Sequence, residues 1–451
     1  MPFQFSDIIK SAGDSDGDVN QLYWLTPLAT KPSSTVMISP VTKPIASEAM
    51  SVQSDGVACS LSLMNGYFVT PAAYHSVAAP SVSRDSSARQ WWLFSPRVDL
   101  GVFLGSAIAA LIALWVGARL GVLEGDSPEW SWIPAVLLID VAHVYATGFR
   151  VYFDAAELRR RAWLYALVPV LALGIGVALY SESEILFWRS LAYLAVFHFV
   201  RQQYGWVALY RARTGERGRL GWWIDAAAIY LATIYPLIYW HAHLPRRFWW
   251  FLANDFTAVP PVIEQIVRPV YWLALAAYAL RSAYLWTVRG EGNPGKDVVV
   301  ATTAVCWYVG IVAFNSDYAF TVTNVIIHGV PYMVLVYWYA RARRAEENSA
   351  GSGTEGVGRM YRFLARGPLA FLATLWVLAY AEELLWDRGV WHERGWLFGA
   401  AGWDIASLKI LFVPLLAVPQ ITHYILDGFI WRRKSNPHLA IFRAASRRGQ
   451  K

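Results

Sequence analysis

The sequence predicts an all-α protein, a polytopic membrane helix bundle with about ten transmembrane helices. Three observations carry that prediction. The 451 residues are 56% hydrophobic and only 16% charged, with a mean hydropathy of +0.33. Apolar runs of membrane-crossing length recur along the chain, which soluble domains do not show. Lys and Arg collect in alternate loops, as the positive-inside rule requires.

Residues 1–90 are rich in Ser, Ala, Thr, Pro and Val without a sustained period. The stretch from Val57 to Pro80 is interrupted by Asn65-Gly66 and Pro71. This region is expected to be a disordered or weakly structured tail. No basic region followed by an apolar core opens the chain, so no signal peptide is expected. From Trp91 onward the character changes. Ten helical spans can be drawn at 98–120, 131–153, 162–180, 185–210, 221–241, 265–288, 297–314, 318–341, 367–386 and 405–431. Trp91, Trp92, Trp222, Trp223, Trp249, Trp250 and Trp386 stand at span ends, where aromatic belts form. The bundle is expected to occupy 91–434, with a Gly/Ser/Glu-rich linker at 345–358 and a basic tail at 435–451.

One set of loops, with the C-terminus, carries 22 Lys or Arg, including Arg159–Arg161, Arg211, Arg217, Arg289, Arg343 and Arg432. The opposite loops carry five: Arg119, Arg246, Arg247, Arg388 and Arg394. Such asymmetry places a multi-pass protein in the cell membrane with both termini cytoplasmic. It also accounts for the net charge of +7 without nucleic acid as a partner. Cys59 and Cys306 are the only cysteines, so neither a disulfide framework nor a cysteine-based zinc cluster is available within one chain.

Four histidines interrupt the apolar spans. The motifs are Asp140-Val-Ala-His143, His198-Phe-Val-Arg201-Gln202, Asn324-Val-Ile-Ile-His328 and His423-Tyr-Ile-Leu-Asp427. They fall in spans two, four, eight and ten, which run in the same direction. Each lies about 13 to 20 Å from the arginine-rich boundary at 1.5 Å per residue, so all four share a level near the midplane. Residues three, four or seven apart share a helix face. Asp140, His143, Thr147 and Arg150 therefore form one polar stripe, and His198, Arg201 and Gln202 a second. Asn324, His328 and Tyr332 form a third, and Gln420, His423 and Asp427 a fourth. Polar stripes on apolar helices turn inward and pair.

A lone intramembrane histidine is more often a hydrogen-bonded packing residue than a ligand; four at one depth favour a single site. The expected metal ligands are His143, His198, His328 and His423. Asp140, Asp427, Arg201 and Tyr332 are the candidate catalytic groups. Asp140 and Asp427 have two readings, as partners of the imidazoles or as salt bridges to Arg150 and Arg201. His241, His243 and His392 are expected to be solvated, and Glu382 and Glu383 to face the opposite, arginine-poor interface.

Imidazole with carboxylate suits iron, with zinc or haem as lesser alternatives. The Pro419-Gln-Ile-Thr-His423-Tyr-Ile-Leu-Asp427 segment and the single histidines on separate helices are similar in kind to integral-membrane, histidine-ligated iron oxygenases of the Brp/Blh carotene-dioxygenase type. That resemblance implies iron and oxygen chemistry. The clustered HxxxH and HxxHH boxes of membrane desaturases are absent. The function expected is a metal-dependent oxidoreductase acting on a lipid or isoprenoid substrate, with an electron-donor protein as a further partner. A b-type haem protein and a proton-coupled transporter using the same stripes are the alternatives.

Overall fold

The computed structural model describes residues 91–350, 358–432 and 436. The expected N-terminal tail, residues 351–357 of the expected linker, and nearly all of the expected basic tail lie outside the described residues. Among the described residues there is no strand. Ten long helices follow one another: α1 (Pro96–Arg119), α2 (Glu129–Tyr152), α3 (Ala162–Glu182), α4 (Glu184–Thr214) and α5 (Arg219–Ala242). They continue as α6 (Pro261–Thr287), α7 (Pro294–Ala313), α8 (Asp317–Ala350), α9 (Pro368–Trp391) and α10 (Ala406–Ile430). Each overlaps one of the stretches read from the sequence, and α8 and α9 run beyond their expected ends at 341 and 386. Helix α8 continues through Ala350, so the first six residues of the expected linker are helical.

Eight of these helices are long and apolar enough to cross a membrane, all except α4 and α6. Those two have 31 and 27 residues, so length does not disqualify them. Their interiors are polar instead: α4 carries Arg189, His198, Arg201, Gln202 and Gln203, and α6 carries Glu264, Arg268 and Arg281.

Local chemistry sets the ends. Ser183 caps α4 by accepting from the Leu186 N–H, and Asn293 caps α7 by accepting from the Lys296 N–H. Proline opens α6, α7 and α9, where a missing N–H costs nothing. Gly215 ends α4 at φ 75°, a left-handed conformation that suits glycine.

Helix α8 is the central post, with 83% of its most apolar window buried, whereas α3 buries only 22% of its own. Helix α8 packs on α2 and α4, and α10 packs on the same two helices. The cyclic order is therefore α2, α8, α4, α10, which is the set of helices that carries the four histidines. Helix α9 closes against α2 and α10. Helix α2 is not a regular α-helix. Wide π-helical segments at Ile133–Val141, which contains Pro134, and at Gly148–Tyr152 flank a single α-helical stretch, Ala142–Thr147. Such wide turns recur at functional sites because they re-aim side chains. Here they frame His143.

Candidate metal centre

The four histidine side chains meet in the middle of that ring and are buried, none more than 2% exposed. Ring centroids are 4.7 Å apart for His143–His328, 5.0 Å for His328–His198, 4.6 Å for His198–His423 and 5.0 Å for His423–His143. The imidazoles thus form a closed quadrilateral whose order is that of the helices. The Nε2 atoms point inward: His143 and His328 approach to 3.1 Å, and His198 and His423 to 3.2 Å.

Two nitrogens each about 2.1 Å from one ion sit roughly 3.0 Å apart at a right angle and roughly 3.4 Å apart at the tetrahedral angle. The observed contacts fall between these values. Neutral imidazoles also hydrogen-bond one another at such distances, so the pairs alone do not define a ligand set. The third neighbour does more. Donor atoms of His143, His198 and His423, from three different helices, all lie within 4.8 Å of one another. This buried group could bind a metal ion.

The outward nitrogens are held from behind. His143 Nδ1 faces Asp140 Oδ1 at 3.7 Å and His198 Nδ1 faces Asp427 Oδ2 at 3.6 Å. His423 Nδ1 lies 2.7 Å from Thr147 Oγ1, which also meets the Tyr332 hydroxyl at 3.4 Å. Carboxylate or hydroxyl behind the distal nitrogen is how ligating imidazoles are oriented. Aromatic rings fix the remaining freedom. Phe199 stacks on His328 at 3.5 Å, Tyr424 lies on His198 at 5.0 Å, and Tyr332 packs edge-on to His423 at 5.0 Å. Gln202 donates to the His328 carbonyl at 3.3 Å.

Several sequence expectations are corrected. Arg201 does not line the pocket: it is exposed and reaches Tyr230 and Tyr204 on the far side of α4. Helical spacing leaves about 60° between positions 198 and 201, and the rotation of α4 turns Gln202 inward and Arg201 outward. Of the two readings left open for Asp427, the structure shows the imidazole partner: it faces His198 on another helix. Neither aspartate meets Arg150 or Arg201.

Arg150 instead closes the arginine-rich end of the bundle. It pairs with Glu157 at 3.5 Å, donates to the Ile430 carbonyl at 2.8 Å and lies over Tyr339. Next to it, Arg343 binds Asp154 at 2.9 Å. Burial raises the Asp154 carboxyl, but the hydrogen bond and charge of Arg343 outweigh it and hold the group below its usual range. Asn324 bonds to its own helix at the Phe320 carbonyl and supports the packing of α8.

His241 is half-buried and bonded to Leu237 and Tyr193 rather than fully solvated. Glu382 and Glu383 are the largest departure: they do not face the interface but are 4% and 1% exposed inside the bundle. Thr147, Phe199 and Tyr424 have roles that their one-dimensional positions do not announce. The Thr147 stripe was the available signal. No family model matches this chain, and neither a curated protein nor a solved structure shows a significant match to it.

Proposed function

We propose that the chain is an integral-membrane, metal-dependent oxidoreductase that uses iron and acts on a lipid or isoprenoid chain. The observation that carries this reading is the convergence of imidazole donors from α2, α4 and α10, with Asp140, Asp427 and Thr147 behind their outer nitrogens. His328 completes the ligand set through its 3.1 Å approach to His143. All-imidazole sites backed by carboxylates are borderline donors suited to iron and zinc. Bound there, iron would supply one-electron and oxygen chemistry.

The chain's own groups supply the rest. Asp140 and Asp427 orient His143 and His198, Thr147 fixes His423, and Tyr332 presents a hydroxyl to the pocket wall. The eight apolar helices set this pocket in hydrocarbon, so a substrate reaches it laterally from the bilayer. In the same reading α4 and α6 complete ten crossings, both termini are cytoplasmic, and an electron-donor protein docks on the arginine-rich face. Haem is disfavoured. Axial nitrogens on opposite sides of one iron stand roughly 4 Å apart, at about 2.0–2.1 Å each, and a macrocycle must fit between them. The imidazole pairs at 3.1 and 3.2 Å are closer than that and suit a bare ion better.

Elemental analysis of the purified full-length chain tests the reading. One iron per chain is expected, and its loss in His198→Ala with the fold retained. Absence of any stoichiometric metal removes the proposal. Zinc alone would keep the metal centre and remove the oxidoreductase.

A further inference from the structure

Glu382 and Glu383 are adjacent on α9, in the interior of the bundle beside the histidine pocket. Glu382 accepts from Trp386 Nε1 at 3.1 Å, and Tyr145 lies alongside it. Glu383 Oε1 is enclosed without any partner in hydrogen-bonding geometry. The two carboxyls also feel one another and Asp140. Burying one isolated carboxylate costs several kcal/mol, and two neighbours cannot both ionise cheaply. The pair is therefore buried most cheaply when a proton or a bound cation offsets one of its charges.

A metal ion is a poor candidate. Among the described residues only the histidine group brings three such donors together. A proton needs no coordination shell, and a protonated carboxyl both donates and accepts.

Polar groups flank the pair on two sides. On the arginine-poor side, Arg394 lies within charge reach of Glu383. Arg394 in turn meets Glu393 at 3.1 Å and Glu129 at 3.6 Å, and the Glu129 side chain is 59% exposed. Asp387 holds this segment in place by accepting from the backbone N–H groups of Glu393 and Arg394 at 2.9 and 2.8 Å. On the pocket side stand Tyr145, Tyr424 and Asp140.

We propose that Glu382 and Glu383 form a proton-exchange site. They hold a proton between them in the membrane interior and trade it with the arginine-poor face past Arg394. The transfer moves a proton from the carboxyl O–H of one glutamate to the carboxylate oxygen of the other, with no change of oxidation state. The site stands on its own geometry; its service to the histidine pocket rests on the metal-centre reading.

Infrared spectroscopy of the full-length protein in lipid nanodiscs tests this. At neutral pH a carboxylic-acid carbonyl band is expected, assigned by isotope-labelled glutamate in the unmutated chain. It should shift on transfer to D2O and vanish in Glu382→Gln/Glu383→Gln. In Glu383→Gln the remaining band should exchange about tenfold more slowly, because glutamine cannot pass a proton on. Glu382→Gln should leave the exchange of Glu383 unchanged. No labelled acid band in the unmutated chain overturns the proposal, whatever the variants do. Equal exchange rates in both single variants also overturn it. Metal content of the same samples separates the two readings: iron without the acid band sinks the proton site alone, and ordered exchange without metal sinks the metal centre alone.

Discussion

Two polar islands lie inside this apolar bundle, and they are built on opposite principles. The first joins α4, α5, α6 and α7. Lys296 bridges Glu216 at 2.8 Å and Asp225 at 3.0 Å, Arg281 binds the same two carboxylates at 3.4 and 3.0 Å, and Arg211 binds both as well. Every carboxylate oxygen there has a cation within reach. The second island is the histidine pocket with its carboxyl neighbours. There His328 Nδ1, Asp427 Oδ1 and Glu383 Oε1 are buried without hydrogen-bond partners. Buried polar atoms without partners call for an explanation, and several of them gather here. The paired island is a fastener. The other has the character of a site, because imidazole donors from three helices converge in it.

If that contrast is right, the two islands must fail differently. Lys296→Met leaves Asp225 and Glu216 short of a cation, and breaking such a buried pair costs about 3–5 kcal/mol. The expected result is a large loss of thermal stability in detergent with the metal content of the surviving folded fraction unchanged. His328→Gln should do the reverse, sparing most of the stability while reducing metal content. Equal destabilisation by both would mean the histidine ring is also only a fastener. Next in size are the groups behind the imidazoles. Thr147→Val and Asp427→Asn should each weaken metal affinity about 10–100-fold, read by competition with a chelator. Unchanged affinity in both would remove their orienting role.

How much of this contrast was legible in the sequence differs between its parts. All ten helices were, because hydropathy and terminal prolines act locally. The shared depth of the four histidines was too, since loop charge and helix rise fix depth without knowledge of packing. Rotation was not. Arg201 and Gln202 are both plausible pocket residues by spacing, and only the seating of α4 against α8 and α10 decides between them. Glu382 and Glu383 were misplaced for a simpler reason. The apolar run of the sequence stops at Trp386, but a π-helical segment, Asp387–Trp391, carries α9 onward, so the glutamates sit about two turns inside the helix end. The Asp427–His198 pairing joins two helices, and no single-chain spacing encodes it. The Lys296 island leaves no sequence signature, because its members are scattered over four helices and a loop.

The smallest expected effect sharpens the comparison through pH. Glu216 lies in the loop between α4 and α5. Burial pushes its carboxyl up, but Lys296, Asn293 and Arg211 outweigh burial and pull it down to about 2 from the ordinary 4.5. A carboxylate with a depressed folded-state value stabilises the protein above its unfolded value. That contribution fades as pH falls from about 4.5 toward about 2. Glu216→Gln should therefore lower stability at neutral pH and flatten its decline in that acid window. A stability profile as steep as that of the unmutated chain would show that the acid response comes from elsewhere. The fastener is thus expected to yield to acid at its loop-borne carboxylate, whereas the histidine pocket, with no member in that loop, should register the same acid step only after the bundle itself loosens.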